Sequence, residues 1–332
     1  MYAPFQILKA ARTVEDPASR IFRLLDDQER RIARIFLTAI SSLRKEIDLD
    51  EIAGLLESGR INDALRTLQS TADELAVASN VAFVTSGQSA AKFLADADLG
   101  RVVFNQVNLR AVAAMQGNRL ELIRQFTEGQ RKATSRAIIQ GIESGSNPIA
   151  AARNFRDSIG LTEKQWGFVS NYRKVLERVG IDAGAQAKAL KRAFRDGRSD
   201  KTIRAAAEAG RPLTPKQIDT MIERSTQRLF KRRAEVIART ESLRAVNQGN
   251  EEAYAQAIEQ EIIRPEQLER TWRTSIDGRE RETHHTLNGQ ARKYGEVWTT
   301  INGTLRYPGD PLAPGKETIM CRCAILTRIV RF

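Results

Sequence analysis

PASRIFRLLDDQERRIARIFLTAISSLRKEI, residues 17–47, sets the architecture. Ile21, Leu24, Leu25, Ile32, Ile35, Phe36, Ala39, Ile40, Leu43 and Ile47 recur at steps of three and four, the period of one helical face. The spacing predicts a single long amphipathic helix from Pro17 to Ile47, its stripe buried against another helix; a partner-binding coiled coil is the other use of such a stripe. Residues 49–85 continue in shorter helical patterns, and Ser86-Gly87-Gln88-Ser89 predicts a break. A second long helical run is expected from about Val102 to Ile142, with Phe104, Val107, Leu120, Ile123, Phe126 and Ile138 as core candidates. Asn147 then caps, with Pro148 at a first helical position. Thr162…Gln165 and Thr214…Gln217 are capping boxes, each putting a hydroxyl at the cap and a glutamine three residues on. The helix opened at Thr214 is expected to reach about Ala257.

After Pro265 the texture changes. Arg270–Ile276 is rich in β-formers, and Val297–Ile301 and Thr304–Tyr307 flank Asn302-Gly303, a strong hairpin signal. Ala324–Val330 reads as a closing strand, and Arg279–Leu287 as a short helix ended by Asn288-Gly289. The expected fold is mainly α in an N-terminal region (1–100) and a middle region (101–231), both with long helices, followed by a small α+β module (232–332) that contains a β-hairpin.

Composition narrows the function classes. The 332 residues carry a net charge of +12 and only 6% aromatics, which leans away from a β-sandwich or barrel. No apolar run reaches the length of a membrane span, and no apolar stretch of signal-peptide length opens the chain, so it is expected to stay in a cytosol. Residues 1–100 hold 12 Lys+Arg and 15 Asp+Glu; the rest hold 41 and 26, a balance of +15. The densest basic stretch, 188–244, includes Lys231, Arg232 and Arg233, the candidates for sequence-independent contact with DNA phosphates. A solvated helical surface explains the same charge. No zinc finger, Walker loop or RNA-recognition signature is present.

Both histidines and both cysteines fall in the last 50 residues, as His284-His285 and Cys321-Arg322-Cys323. In an extended segment Cys321 and Cys323 point the same way, and with His284 they supply three ligands of a tetrahedral zinc site, with Asp277, Asp310, His285 or water as the fourth. The alternative has no cofactor: two small buried hydrophobes beside a hydrogen-bonded histidine. A disulfide between positions i and i+2 is at the limit of the allowed geometry.

The spacing Asp277, Arg279, Arg281, His284, Leu287, Gly289 resembles the D-x-R-x-R-x-x-H-x-x-L-x-G signature of the phage Mu protein F-like domain of tailed-phage minor head proteins. Ile237-Ala238-Arg239-Thr240-Glu241 with Asn247 resembles the helix that opens that domain. Tyr307-Pro308-Gly309-Asp310 resembles its turn, and Glu317…Cys321-Arg322-Cys323 its ending, with Met320 where the family usually carries Asn. The likeness spans roughly residues 102–326 and is dense over 232–326; residues 1–100 resemble nothing named. It implies a minor capsid and head morphogenesis protein, not an enzyme. Such a protein is assembled in the host cytoplasm and lies inside the virion head at the portal vertex. Its partners would be the portal, the major capsid or scaffolding proteins and packaged DNA, with no membrane. The rival class is a metal-dependent DNA-processing hydrolase or nuclease using Asp277, His284 and the cysteines. Arg279 and Arg281 are expected to fasten a strand–helix junction by pairing with Asp277.

Overall fold

The computed structural model describes residues 17–60, 62–63, 70–97, 102–143, 147–275 and 278–331. The stripe of residues 17–47 becomes α1 (Pro17–Glu46), with Ile32, Phe36 and Ile40 fully buried. After α2 (Leu49–Glu57), capped by Asp48, comes α3 (Ser70–Asp96). That helix runs straight through Ser86–Ser89, where a break was expected. Small and polar side chains there serve a helix crossing: Ser86 Oγ donates to the Val246 carbonyl at 2.7 Å, and a Cβ on Gly87 would lie 2.5 Å from the Phe104 ring.

The second run starts later than its sequence suggests, as α4 (Leu109–Glu143). Residues 102–108 precede it without helix; Val102 and Phe104 are buried, whereas the expected core residue Val107 is exposed. Ile138 is buried as expected, while the side chains of Leu120, Ile123 and Phe126 lie outside the described ones. Asn147 and Pro148 open α5 (Pro148–Ser158), and the Thr162 capping box opens α6 (Glu163–Glu177). Two short helices, α7 (Ala185–Leu190) and α8 (Asp200–Glu208), lead to α9 (Pro215–Glu259), started by the Thr214 capping box. At 1.5 Å per residue its 45 residues extend about 67 Å. The boundary expected at residue 231 falls inside this continuous helix.

The C-terminal module holds two small antiparallel sheets. One has the order β2 (Ala291–Lys293), β1 (Leu268–Arg273), β5 (Ala324–Ile329), with Trp272 opposite Ile325. The other is the expected hairpin, β3 (Trp298–Thr300) and β4 (Gly303–Leu305). β1 ends earlier than expected because the Thr274 N–H leaves the ladder and donates to Asn288 Oδ1. The helix expected over 279–287 shrinks to α10 (Glu282–His285), and the chain then turns until Gly289 at φ +81. A last short helix, α11 (Gly315–Thr318), precedes Cys321.

Three apolar cores result. The largest joins α1 to α4–α9 (Ile32, Phe36, Ile138, Phe155, Leu176, Phe230), and the second lies where α3 and α9 cross. The third packs Leu25 of α1 and Leu243 and Val246 of α9 against Trp272, Trp298, Cys321 and Cys323. α1 and α9 therefore build the floor on which the C-terminal module sits. Among the described residues no helix is long and apolar enough to cross a membrane.

Candidate functional site

Trp272 points inward because β1 alternates, with Leu268, Arg270 and Trp272 buried. Its ring lies edge-on to His284, 5.2 Å between centroids, which fixes the imidazole plane. His284 is 1% exposed, and its Nδ1 lies 3.3 Å from Cys321 Sγ and 3.5 Å from Cys323 Sγ. On the other side Nε2 is 2.8 Å from Oε2 of the fully buried Glu317, close to the oxygen but without an aligned N–H···O bond. Glu317 is itself held by the hydroxyls of Thr283 and Thr300, each at 3.1 Å, and by the Asn302 amide. Burial works against its charge, but the donors from Asn302 and Thr283 and the nearby imidazole outweigh it and hold the carboxyl below its ordinary range. Burial likewise works to raise the Cys321 thiol, yet hydrogen bonding to Cys323 and His284 keeps it well below the usual value. Cys323 moves up, chiefly through its hydrogen bond to Cys321. The bond they share thus pulls the two thiols in opposite directions.

The loop carrying the cysteines is clamped from both flanks. Arg281, at the N-cap of α10, donates to the Ile319 carbonyl, and Thr240 Oγ1 of α9 accepts the Met320 N–H at 3.2 Å. Met320 has φ +59, a left-handed turn that reorients the chain before Cys321. Arg281 and His284 therefore reach the same segment, as their spacing suggested. The expected partner of Arg281, Asp277, lies outside the described residues. Arg279 is exposed. As alternative fourth ligands, Asp310 and His285 are not brought together with the cluster: Asp310 spends both oxygens on Arg306 and on the Leu312 N–H, and His285 is exposed. Among the described residues the one group able to hold a metal is His284, Cys321 and Cys323, with ligand atoms all within 4.8 Å of one another.

The Arg239-Thr240-Glu241 turn of α9 is a docking face. Arg239 pairs with Glu29 of α1 at 2.7 Å, and Glu241, whose carboxyl burial pushes up, pairs with Arg244 at 3.3 Å. One turn on, Asn247 Nδ2 donates to the Pro308 carbonyl at 3.0 Å. Gly309, at φ +80, comes so close to α9 that a Cβ would sit 3.1 Å from the Arg244 nitrogen. Asp310 then closes the turn on Arg306 at 2.6 Å, and this pairing holds its carboxyl low against the opposing effect of burial.

The three DNA-contact candidates divide. Lys231 and Arg232 are exposed, but Arg233 is buried over the Phe36 ring, where desolvation lowers its pKa to about 10. It belongs to the core because position 233 falls on the α1-facing stripe of α9, a distinction that charge counting misses. Glu317, although within the quoted ending, and Arg270 were not foreseen as site residues. Arg270 is 1% exposed, paired with Glu251 at 2.8 Å and sandwiched by Tyr294 and Trp298. Its signal was present in the inward alternation Leu268-x-Arg270-x-Trp272.

No curated protein and no solved structure matches this chain. The family described as Phage Mu protein F like protein matches residues 132–326, more than half of the chain. Its span takes in α9, the hairpin, the histidine–cysteine cluster and the first half of β5. The chain belongs to the phage Mu protein F like family and is with it a phage head morphogenesis protein.

Proposed function

We propose that the protein is a minor structural component of the head interior, seated near the portal, touching packaged DNA without reading its sequence, and not an enzyme. Membership of the family over residues 132–326 carries this reading. The residues of its motifs serve here to tie elements together: Thr240 to Met320, Asn247 to Pro308, Arg281 to Ile319. A hydrolase would need its metal ligands open to substrate, whereas His284, Cys321 and Cys323 are 1–2% exposed. The cavity bordering Cys321 is about 70 Å³, well below the roughly 300–1,000 Å³ of small-molecule sites.

DNA contact is supported by cations on α9. The half-buried Arg224 and the exposed Arg228 and Arg232 stand four residues apart on one face, beside the exposed Lys231. Asp196 neutralises only part of this row, at 3.4 Å from Arg224 and 3.1 Å from Arg228.

The test is the position of this chain in purified procapsids and mature heads. A signal at the portal vertex in both supports the reading, and absence from both overturns it. For the DNA contact, the affinity of the full chain for duplex DNA should fall steeply with salt and not vary with sequence. Replacing Lys231 and Arg232 by Gln should reduce the log–log salt slope by about 2. Discrimination among sequences would contradict it.

A further inference from the structure

We propose that His284 Nδ1, Cys321 Sγ and Cys323 Sγ bind one zinc ion, which clips α10 to the strand entering β5. The proposal stands on the cluster alone and does not depend on where the protein sits in the particle.

The first support is distance. Zinc bonds of about 2.0–2.1 Å to nitrogen and 2.3 Å to sulfur, at the tetrahedral angle, put N and S about 3.5 Å apart. The observed Nδ1–Sγ separations are 3.3 and 3.5 Å, so two edges of such a tetrahedron already have the right length, with all three atoms within 4.8 Å of one another. Van der Waals packing of two thiols on an imidazole has no need to aim both sulfurs at one ring nitrogen.

Donor chemistry is the second. Two sulfurs and one imidazole nitrogen are the soft set that selects zinc over hard cations. Without a cation at their centre these groups meet as weak donors facing acceptors, in a place with almost no solvent to relieve them. A neutral imidazole that gives Nδ1 to the metal carries its proton on Nε2, the nitrogen 2.8 Å from Glu317. A buried carboxylate behind a ligating histidine is the usual outer support of zinc sites. Here the three donors from Thr283, Thr300 and Asn302 fix it in place.

Third, the ligand loop is held in position before any metal arrives. Arg281 grips the Ile319 carbonyl and Thr240 the Met320 N–H. The cavity beside Cys321, lined also by Leu25, Ser242, Leu243 and Ser275, has room for a water molecule next to one of the ligands. The clip would add to the contacts that already join α10 to the loop before β5. α10 spans only four residues and the ladder beside it is three strands wide, a small module of the kind that a metal commonly supports. Metal binding then contributes folding free energy directly.

The experiment measures metal in the purified full chain by elemental analysis, after expression in zinc-containing medium and without chelators or metal-affinity resin. One zinc per chain is expected, and a folded chain with both thiols reduced but no zinc would overturn the proposal. Stripped protein titrated with cobalt(II) alone should develop thiolate-to-cobalt charge-transfer absorption, and its failure to appear in still-folded protein overturns it equally. Should Cys321→Ser and Cys323→Ser fail to fold, Glu317→Gln provides the independent reading. In chelator competition its zinc affinity should fall about 10–100-fold. An unchanged affinity would overturn ligation through Nδ1 with Glu317 behind the ring.

Discussion

Ile32, Phe36 and Ile40 in α1 and Arg270 in β1 are all fully buried, yet they hold their regions by different physics. The helical body rests on apolar stripes, in which each side chain adds one increment to a core shared by many others. The C-terminal module is small and fixes its geometry with single polar groups: Arg270 between Glu251, Tyr294 and Trp298, and Glu317 behind His284. Loss of one methylene from a stripe leaves a small cavity. Loss of one partner from a buried pair leaves a charge without water or counter-ion.

The largest expected effect follows from that contrast. Arg270→Ala should destabilise the protein by about 3–5 kcal/mol, the usual cost of breaking a buried pair. Ile138→Val in the body should cost about 0.5–1.5 kcal/mol. Chemical unfolding followed by near-UV and far-UV signals measures both, and equal midpoint shifts would erase the distinction between the regions. A pH signature accompanies it. Burial raises the Glu251 carboxyl above its ordinary 4.5, and Arg270 opposes that rise. In the variant the opposition is gone, so the folded pKa climbs further and the protonated form is favoured. A raised folded pKa gives stability that is present below pH 4.5 and is lost as pH rises. The deficit of Arg270→Ala should therefore be smallest near pH 4.5 and larger at neutral pH.

The next effect tests the body where it behaves like the module. Gly249, in the interior of α9, looks like a weak point, since glycine in a helix interior is about 1 kcal/mol worse than alanine. Yet a Cβ there would lie 2.2 Å from the Phe83 carbonyl oxygen of α3. Gly249→Ala should force the two backbones apart and destabilise by about 1–3 kcal/mol. A higher melting temperature in that variant would mean that the crossing is looser than the contact implies.

This crossing also explains what the sequence hides. Long elements were legible, because α1, α9 and their caps are set by local period and local hydrogen bonds. So were the hairpin and the meeting of His284 with Cys321 and Cys323, since rare residue types were concentrated there. Ser86 and Gly87 were misread because the same small residues that permit a turn also permit close helix approach. Choosing between them needs the partner helix 160 residues away, where Ser86 meets Val246. β2 was invisible because its three residues, Ala291-Arg292-Lys293, include no buried apolar side chain to mark a strand, and it is an edge for β1. The pair Arg239–Glu29 spans 210 residues and has no local trace at all.

Met320 gives the smallest effect and the finest cut between the regions. It sits at φ +59, where a side chain with a Cβ costs about 1–2 kcal/mol unless it is Asn, Asp or Gly. No side-chain contact of Met320 to the His284 cluster is needed for its place in the loop, because its backbone N–H alone reaches Thr240. The asparagine common at this point in the resembled sequences is then a backbone preference, and its replacement by methionine leaves the ligand geometry intact. Met320→Asn should accordingly raise stability by about 1 kcal/mol, read as a higher denaturation midpoint with unchanged zinc content. If the midpoint falls instead, packing of the half-buried methionine outweighs the relief of strain, and at this position the module is held by apolar contact, as the helical body is.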